Sequence, residues 1–174
     1  MIKKRIIFKL LFDNGIFCLS RNFKLQKIGD VDWLFNRLKF GEISNYIDEL
    51  VILNVSRDNF KDPLNKKFRK SIEKLMKKTF IPLTIGGGLR NIEQVKDCFK
   101  IGADKIILNS SVRENKDFIK LCVKQFGSQA IILGIDFKEN NKKFYSYIKN
   151  GTQEYLELNK HLKLAKKMNF GEVF

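Results

Sequence analysis

Two short polar segments follow apolar runs of the sequence and carry groups that could hold an anion. The triplet Gly86-Gly87-Gly88 comes directly after Ile81–Ile85, and Asn109 and Ser110 follow the apolar run Lys105–Leu108. Glycine has no Cβ, so its backbone N–H can approach an anion closely, and the asparagine and serine add an amide and a hydroxyl donor. We predict that Gly87, Gly88, Asn109 and Ser110 bind a phosphate group. A tight turn from strand to helix is the alternative interpretation of the glycines.

A carboxylate ends the fifth apolar run. Asp136 follows Ala130–Ile135, which reads as a buried strand. A carboxylate at the carboxyl end of a strand can exchange protons with a bound molecule. The alternative is that Asp136 caps a helix or a loop.

Four charged residues stand at the amino ends of predicted strands: Arg5, Glu49, Lys105 and Glu172. Two are cationic and two are anionic. If the strands close into a barrel, these positions converge on one face, where each charge can be paired with its neighbours. The alternative is that they are separate, solvated charges.

The elements that must position these groups alternate along the chain. Short apolar runs predict strands at Ile6–Leu11, Glu49–Val55, Ile81–Ile85, Lys105–Leu108, Ala130–Ile135 and from Glu172 onward. Helices are predicted to begin at Asp30, Asp62-Pro63, Asn91 and Asn115, and a last helix carries Leu156, Leu162, Leu164 and Met168, with His161 exposed. Asn150-Gly151 is typical of a hairpin turn. This alternation indicates one α/β domain over residues 1–174, with a parallel sheet covered by helices. The first strand lacks a glycine-rich dinucleotide turn, which favours a barrel over an open doubly wound sheet.

Length, charge and cysteine content exclude several classes of protein. The 174 residues fall short of the roughly 250 of a complete eight-stranded barrel. The net charge of +15 could attract a polyanion, but the lysines are spread along the whole chain, so we expect neither a nucleic-acid nor a membrane partner. No apolar run or leader indicates a membrane span or a signal peptide, so a cytoplasmic location is expected. The three cysteines form no metal pattern, and neither a metal nor a cofactor is predicted; Cys98 and Cys122 are expected in the core.

Two longer segments carry a family resemblance. IPLTIGGGLRNIEQVKDCFKIGADKIILN at residues 81–109 and FGSQAIILGIDFK at residues 126–138 strongly resemble the cyclase (synthase) subunit of imidazole glycerol phosphate synthase. Shorter matches are KRIIF at residues 4–8, DELVILNV at residues 48–55 and GEVF at residues 171–174. That family forms a (β/α)8 barrel and uses ammonia from a glutaminase partner to close the imidazole ring in histidine biosynthesis. The resemblance stops early in the sixth strand, so it implies a partial TIM-type barrel of about five βα units plus the start of a sixth strand.

The resemblance also implies roles for individual residues. Asp136 matches one of two catalytic acid–base groups, and the glycine triplet matches the family's first phosphate site. The four charged residues named above match a salt-bridged gate through which ammonia enters the barrel. Asp104 matches a position that faces the glutaminase, which implies a heterodimer acting on a phosphorylated small molecule.

The sequence departs from the family at three points. Leu11 stands where the family has its other catalytic aspartate, and Asp13 lies two residues further along. Asn54 stands where the family commonly has an aspartate. The second phosphate site of the family, on its seventh and eighth strands, has no counterpart in this chain.

Three functions remain open on these grounds. The first is the ring-forming subunit of imidazole glycerol phosphate synthase. The second is an ammonia-delivery partner for amidation of a bacterial surface-polysaccharide sugar; that branch of the family also resembles this chain in its leucines near position 11 and in Asn150-Gly151-Thr152. Leu11 favours this second function over ring closure. The third is a non-catalytic remnant of a truncated gene.

Overall fold

The computed structural model describes residues 4–56, 61–149 and 151–174. The strands within these residues are β1 (Ile7–Asp13), β2 (Ile16–Arg21), β3 (Lys24–Gly29), β4 (Glu49–Asn54), β5 (Leu83–Gly86), β6 (Lys105–Leu108), β7 (Ile131–Leu133), β8 (Asp136–Asn140), β9 (Lys143–Ile148), β10 (Gln153–Glu157) and β11 (Glu172–Val173). The α-helices are α1 (Val31–Asn36), α2 (Phe40–Ile43), α3 (Lys66–Met76), α4 (Ile92–Lys100), α5 (Ser111–Glu114), α6 (Lys116–Phe126) and α7 (Leu158–Lys167).

The main sheet has the order β11-β7-β6-β5-β4-β1-β2-β3. Strands β1, β4, β5, β6, β7 and β11 are parallel to one another, and helices lie between them in the chain. This arrangement is a partial (β/α) barrel with five strand–helix units and the start of a sixth strand, as predicted. The parallel strands place all their carboxyl ends at one edge of the sheet, where barrel proteins carry their sites.

Alternating residues of the strands build two separate apolar clusters. Leu10 and Phe12 belong to the larger one, which lies between the sheet and the helices. Val51, Ile107 and Ile132 form the smaller one on the concave side of the sheet and are at most 4% exposed. We call this second cluster, with Ile7 and Leu53 packed against it, the barrel interior.

Three of the four predicted helix starts are confirmed by side-chain caps. Asp30, Asn91 and Asn115 each accept a hydrogen bond from the backbone N–H three residues on, and Asn91 forms a capping box with Gln94. The predicted start at Asp62-Pro63 is wrong. Helix α3 begins at Lys66, because the Asn65 side chain accepts a hydrogen bond from the Phe68 N–H at 3.1 Å.

The fifth parallel strand is shorter than predicted. It ends at Leu133, and Asp136 is the first residue of β8 rather than the last residue of that strand. Strands β8, β9 and β10 form a second, antiparallel sheet in the order β10-β9-β8, so Leu156 lies on β10 and not on the last helix. The predicted hairpin turn falls in part on Asn150, which lies outside the described residues.

The prediction that His161 is exposed is wrong. Its side chain on α7 is 0% exposed and lies edge-on to the Tyr155 ring, with ring centroids 5.2 Å apart. Burial lowers the pKa of His161 below its usual 6.5. Cys98 and Cys122 are buried, as predicted, and burial raises the pKa of each thiol to about 12. Over the described residues no helix combines the length and apolar character that a bilayer span requires.

Candidate functional site

A cavity of about 190 Å³ lies at the carboxyl ends of the parallel strands. It is lined by residues that follow β4, β5, β6 and β7, among them all of the predicted anion-binding residues and Asp136. Groups separated by up to 49 positions in the sequence, from Gly87 to Asp136, therefore meet at one opening.

The glycine segment that follows β5 has a conformation that explains its composition. Gly87 and Gly88 have φ values of +101° and +73°, a region that side chains other than glycine rarely adopt. A Cβ on Gly87 would lie 2.0 Å from the carbonyl oxygen of Asn54. These values support the turn interpretation, and the anion interpretation is compatible with it because Gly87 and Gly88 also line the cavity.

Asn109 and Ser110 occupy the neighbouring wall of the cavity after β6. The Asn109 side-chain amide donates to the Asp136 carboxylate at 3.1 Å. The Oδ1 atom of Asn109 is buried and has no hydrogen-bond partner among the described residues. The Ser110 hydroxyl accepts a hydrogen bond from the Lys149 N–H at 3.1 Å, which ties this wall to β9 and leaves the hydroxyl proton available as a donor.

Asp136 is a partly buried carboxylate that faces the cavity. Burial raises its pKa above the ordinary 3.8, whereas the positive charge of Lys9 and the hydrogen bond from Asn109 act in the opposite direction. A carboxylate with a raised pKa is suited to accept and return a proton. Asp136 is not a helix cap, because β8 begins with it.

The structure places no carboxylate at position 11. Leu11 lies on the concave side of β1, pairs with Leu53 on β4 and is 8% exposed. Asp13 ends β1, accepts a hydrogen bond from the Asn14 side chain at 3.1 Å and is not among the described residues that line the cavity. Asp136 is therefore the acidic side chain that the described residues bring to this cavity.

The structure explains why an asparagine at position 54 is accommodated. Its side chain is 1% exposed, donates to the Pro63 carbonyl at 2.8 Å and accepts from the Ser56 N–H at 3.1 Å. These bonds fix the segments on either side of residues 57–60.

Three cations line the same cavity: Lys9, Arg90 and Lys149. Arg90 also forms an ion pair with Glu114 at 2.9 Å. Among the described residues one acidic side chain stands against these three basic ones, which favours an anionic ligand. None of the three cations was predicted from the sequence. Lys9 could have been found from the period of two along β1, since it shares a face with Arg5 and Leu11.

The four charged residues at the amino ends of the strands meet in a closed ring. Arg5 contacts Glu49 at 3.1 Å and Glu172 at 2.8 Å. Lys105 contacts the same two carboxylates at 3.1 and 3.3 Å. Each charge thus touches two of opposite sign, and Glu49, at 4% side-chain exposure, is further held by the Thr84 hydroxyl.

Asp104 precedes β6 beside this ring. Its carboxylate accepts a hydrogen bond from the Leu83 N–H at 2.8 Å, and its own N–H donates to the Leu83 carbonyl at 2.7 Å. The residue is exposed, on the same face of the barrel as the ring.

The fold and the two ends of its interior define a barrel-type α/β protein with an anion-favouring cavity at one end and a charged ring at the other. The family model described as "Histidine biosynthesis protein" matches residues 43–174. The chain belongs to this histidine biosynthesis protein family.

Individual relatives agree with this assignment. The chain is 43% identical to the putative imidazole glycerol phosphate synthase subunit hisF2 of Parasynechococcus marenigrum, over 88% of the chain and 56% of the relative. It is 35% identical to the protein of the same name from Campylobacter jejuni, over 96% of the chain and 64% of the relative. It is 31% identical to the imidazole glycerol phosphate synthase subunit HisF of Petrotoga mobilis, over 88% of the chain and 60% of the relative. The chain therefore spans about three fifths of the length of these relatives.

Proposed function

We propose that the chain provides a synthase subunit of the imidazole glycerol phosphate synthase type, which binds a phosphorylated substrate and uses ammonia from a glutaminase partner for ring formation. The proposal depends on two features that lie at opposite ends of the barrel interior. A closed ring of four charges lies at its amino end, and a cavity lined by the Asp136 carboxylate lies at its carboxyl end.

The ring supports the ammonia half of the proposal. Its four side chains cover the amino end of the barrel interior, and the next layer contains the apolar Val51, Ile107 and Ile132 together with Lys9. A neutral molecule such as ammonia passes apolar side chains at far lower cost than a charged one. Asp104, exposed beside the ring, would contact the glutaminase.

The cavity supports the phosphate half. Gly87 and Gly88 turn their backbone toward it, Ser110 offers a hydroxyl, and Arg90 adds a positive charge. These are the groups that hold phosphates in proteins. Asp136 lines the same cavity beside Asn109, where it would exchange a proton with the part of the substrate beyond the phosphate.

Inorganic phosphate is a suitable probe of this half. We expect addition of phosphate to shift the backbone amide resonances of Gly87, Gly88 and Ser110 in a protein NMR spectrum. The size of these shifts should level off as the phosphate concentration rises. The variant Ser110→Ala should weaken the apparent affinity several-fold, whereas Ser71→Ala, outside the cavity, should leave it unchanged. The absence of saturable shifts at the glycines would refute the phosphate half.

One observation favours a second candidate function. With Leu11 in place of an aspartate, Asp136 is the one carboxylate that the described residues bring to the cavity, so the chain could deliver ammonia to a different acceptor, such as a sugar of a bacterial surface polysaccharide. The two candidates differ in one outcome. The synthase subunit forms the imidazole ring from the family's substrate and ammonium, and the ammonia-delivery partner does not.

A further inference from the structure

Lys9 is a cavity residue that the family resemblance does not explain. It lies in the middle of β1 and pairs with Val51 of β4, which belongs to the barrel interior. Neighbouring residues of parallel strands point to the same side of a sheet. The Lys9 side chain therefore projects into the interior, between the charged ring below it and the cavity above it, and it lines the cavity.

The surroundings of the Lys9 ammonium group leave it available to a ligand. Its Nζ lies 5.8 Å from the centre of the Phe174 ring, and it makes no ion pair or hydrogen bond with a described residue. Its charge nevertheless reaches Asp136, whose pKa it lowers. An ammonium group has three N–H donors, and here they are free to bind an oxygen of a molecule in the cavity.

The neighbouring residues of β1 cannot play this part. Leu11 shares the concave face with Lys9 but carries no polar group, and Asp13 does not line the cavity. Lys9 is thus the ionisable side chain that β1 brings to the cavity, and Asp136, which follows β7, lines the same cavity.

We propose that Lys9 is a ligand-binding residue, whose ammonium group holds an anionic or carbonyl oxygen of a molecule bound in the cavity that Lys9 and Asp136 both line. This inference rests on the proposed function, because the glycine segment would hold the phosphate of the same ligand. The ligand class is a phosphorylated compound with a second oxygen-bearing group, such as a carboxylate or a carbonyl. When Asp136 takes a proton from this ligand, the negative charge left on the ligand lies next to the Lys9 cation, which stabilises it.

The first experiment measures the coupling between Lys9 and Asp136 without any ligand. The apparent pKa of the Asp136 carboxyl is followed by carbon-13 NMR in the wild type and in Lys9→Met, Lys9→Arg and Lys149→Met. We expect the pKa to rise in Lys9→Met and to stay near the wild-type value in Lys9→Arg. An unchanged pKa in Lys9→Met, or an equal rise in Lys149→Met, would show that Lys9 does not face Asp136.

The second experiment measures binding of two probes by calorimetry: inorganic phosphate, and 3-phosphoglycerate, which adds a carboxylate. We expect the wild type to bind 3-phosphoglycerate more tightly, and Lys9→Met to lose this advantage by a factor on the order of 10, with phosphate binding unchanged. Lys149→Met should weaken both probes equally. Equal loss of both probes in Lys9→Met would overturn the proposal.

The results distinguish a failure of the proposed phosphate site from a failure of the proposed role of Lys9. If the wild type binds neither probe, the proposed phosphate site is wrong, and Lys9 is then not the cation of a phosphorylated ligand either. If phosphate binds but Lys9→Met leaves the preference for 3-phosphoglycerate intact, the site stands and the role of Lys9 is refuted.

Discussion

Arg5 and Glu172 form an ion pair of 2.8 Å between the two ends of the parallel part of the sheet. The two residues are separated by 167 positions, and their strands are not neighbours, since β1 pairs with β2 and β4 while β11 pairs with β7. The sheet is therefore curved enough to bring its first and last parallel strands within the reach of two side chains. This curvature closes the ring of charges and covers the amino end of the barrel interior.

Glu49 is the most buried member of the ring, so its removal should destabilise the fold. Replacing Glu49 with Gln leaves Arg5 and Lys105 sharing one carboxylate instead of two, and we expect the free energy of unfolding to fall by about 3 kcal/mol. Urea denaturation measures this change.

A matched control is Glu93→Gln, which removes the partner of Lys96 in an exposed pair on α4. Exposed pairs of this kind contribute less than about 0.5 kcal/mol, so the control should unfold close to the wild type. Equal effects of the two variants would show that the ring contributes no more than a surface pair.

Gly87 and Gly102 provide a direct test of close packing in the glycine segment. Their φ values are +101° and +102°, but a Cβ would lie 2.0 Å from the Asn54 backbone at Gly87 and would meet nothing within 4 Å at Gly102. We expect Gly102→Ala to cost about 1–2 kcal/mol from backbone strain alone. Gly87→Ala should cost about 3 kcal/mol or more, since overpacking adds to the same strain. Thermal unfolding of both variants measures the difference, and equal losses would contradict the close approach.

The raised pKa of Asp136 predicts a dependence of stability on pH. The folded state holds this proton more tightly than the unfolded state, so the contribution of Asp136 to stability is lost as pH rises from 3.8 through its pKa in the fold. We therefore expect Asp136→Asn to be more stable than the wild type near neutral pH, with the difference shrinking toward pH 4. Unfolding measured at both pH values tests this, and a difference that does not depend on pH would contradict the cause given for the shift.

The lowered pKa of His161 predicts the opposite dependence of stability on pH. Its pKa is lowered by burial, so the unfolded state binds the proton more tightly and the protein loses stability as pH falls through about 6.5. We expect His161→Phe to lose less stability than the wild type between pH 7 and about pH 5. At pH 7 the variant should be more stable by roughly 1 kcal/mol, because it removes two buried nitrogens that have no hydrogen-bond partner among the described residues. If the acid sensitivity of the two proteins is the same, His161 is not its source.

Much of the fold could be predicted because local signals and tertiary structure agree. Lys105–Leu108 is apolar apart from its first residue, and the strand has the predicted bounds. The hairpin of β2 and β3 was missed because Lys24, Gln26 and Lys27 make β3 polar and exposed, although Phe17 of β2 is buried in the core. His161 was misplaced because the lysines around it suggested a solvated helix. Its position four residues before the buried Ala165 was the better signal.

The residues of the candidate site could be predicted where polar residues or glycines directly follow a predicted strand. Gly87, Gly88, Asn109, Ser110 and Asp136 all line the one cavity. Lys9 and Lys149 were not assigned to it because lysines are usually solvated. The alternation of side chains along β1 places Lys9 on the interior face, but only the curvature of the sheet, seen in the ion pair of Arg5 and Glu172, shows that this face encloses a cavity.

The most direct test of the proposed synthase function is turnover of the family's ring-forming substrate with ammonium chloride, in the wild type and in Asp136→Asn. We predict that the wild type forms the imidazole ring and that Asp136→Asn lowers kcat by at least about 100-fold, the range for loss of an acid–base group. A folded wild-type protein that binds phosphate but forms no ring, or an Asp136→Asn variant that is as active as the wild type, would contradict it.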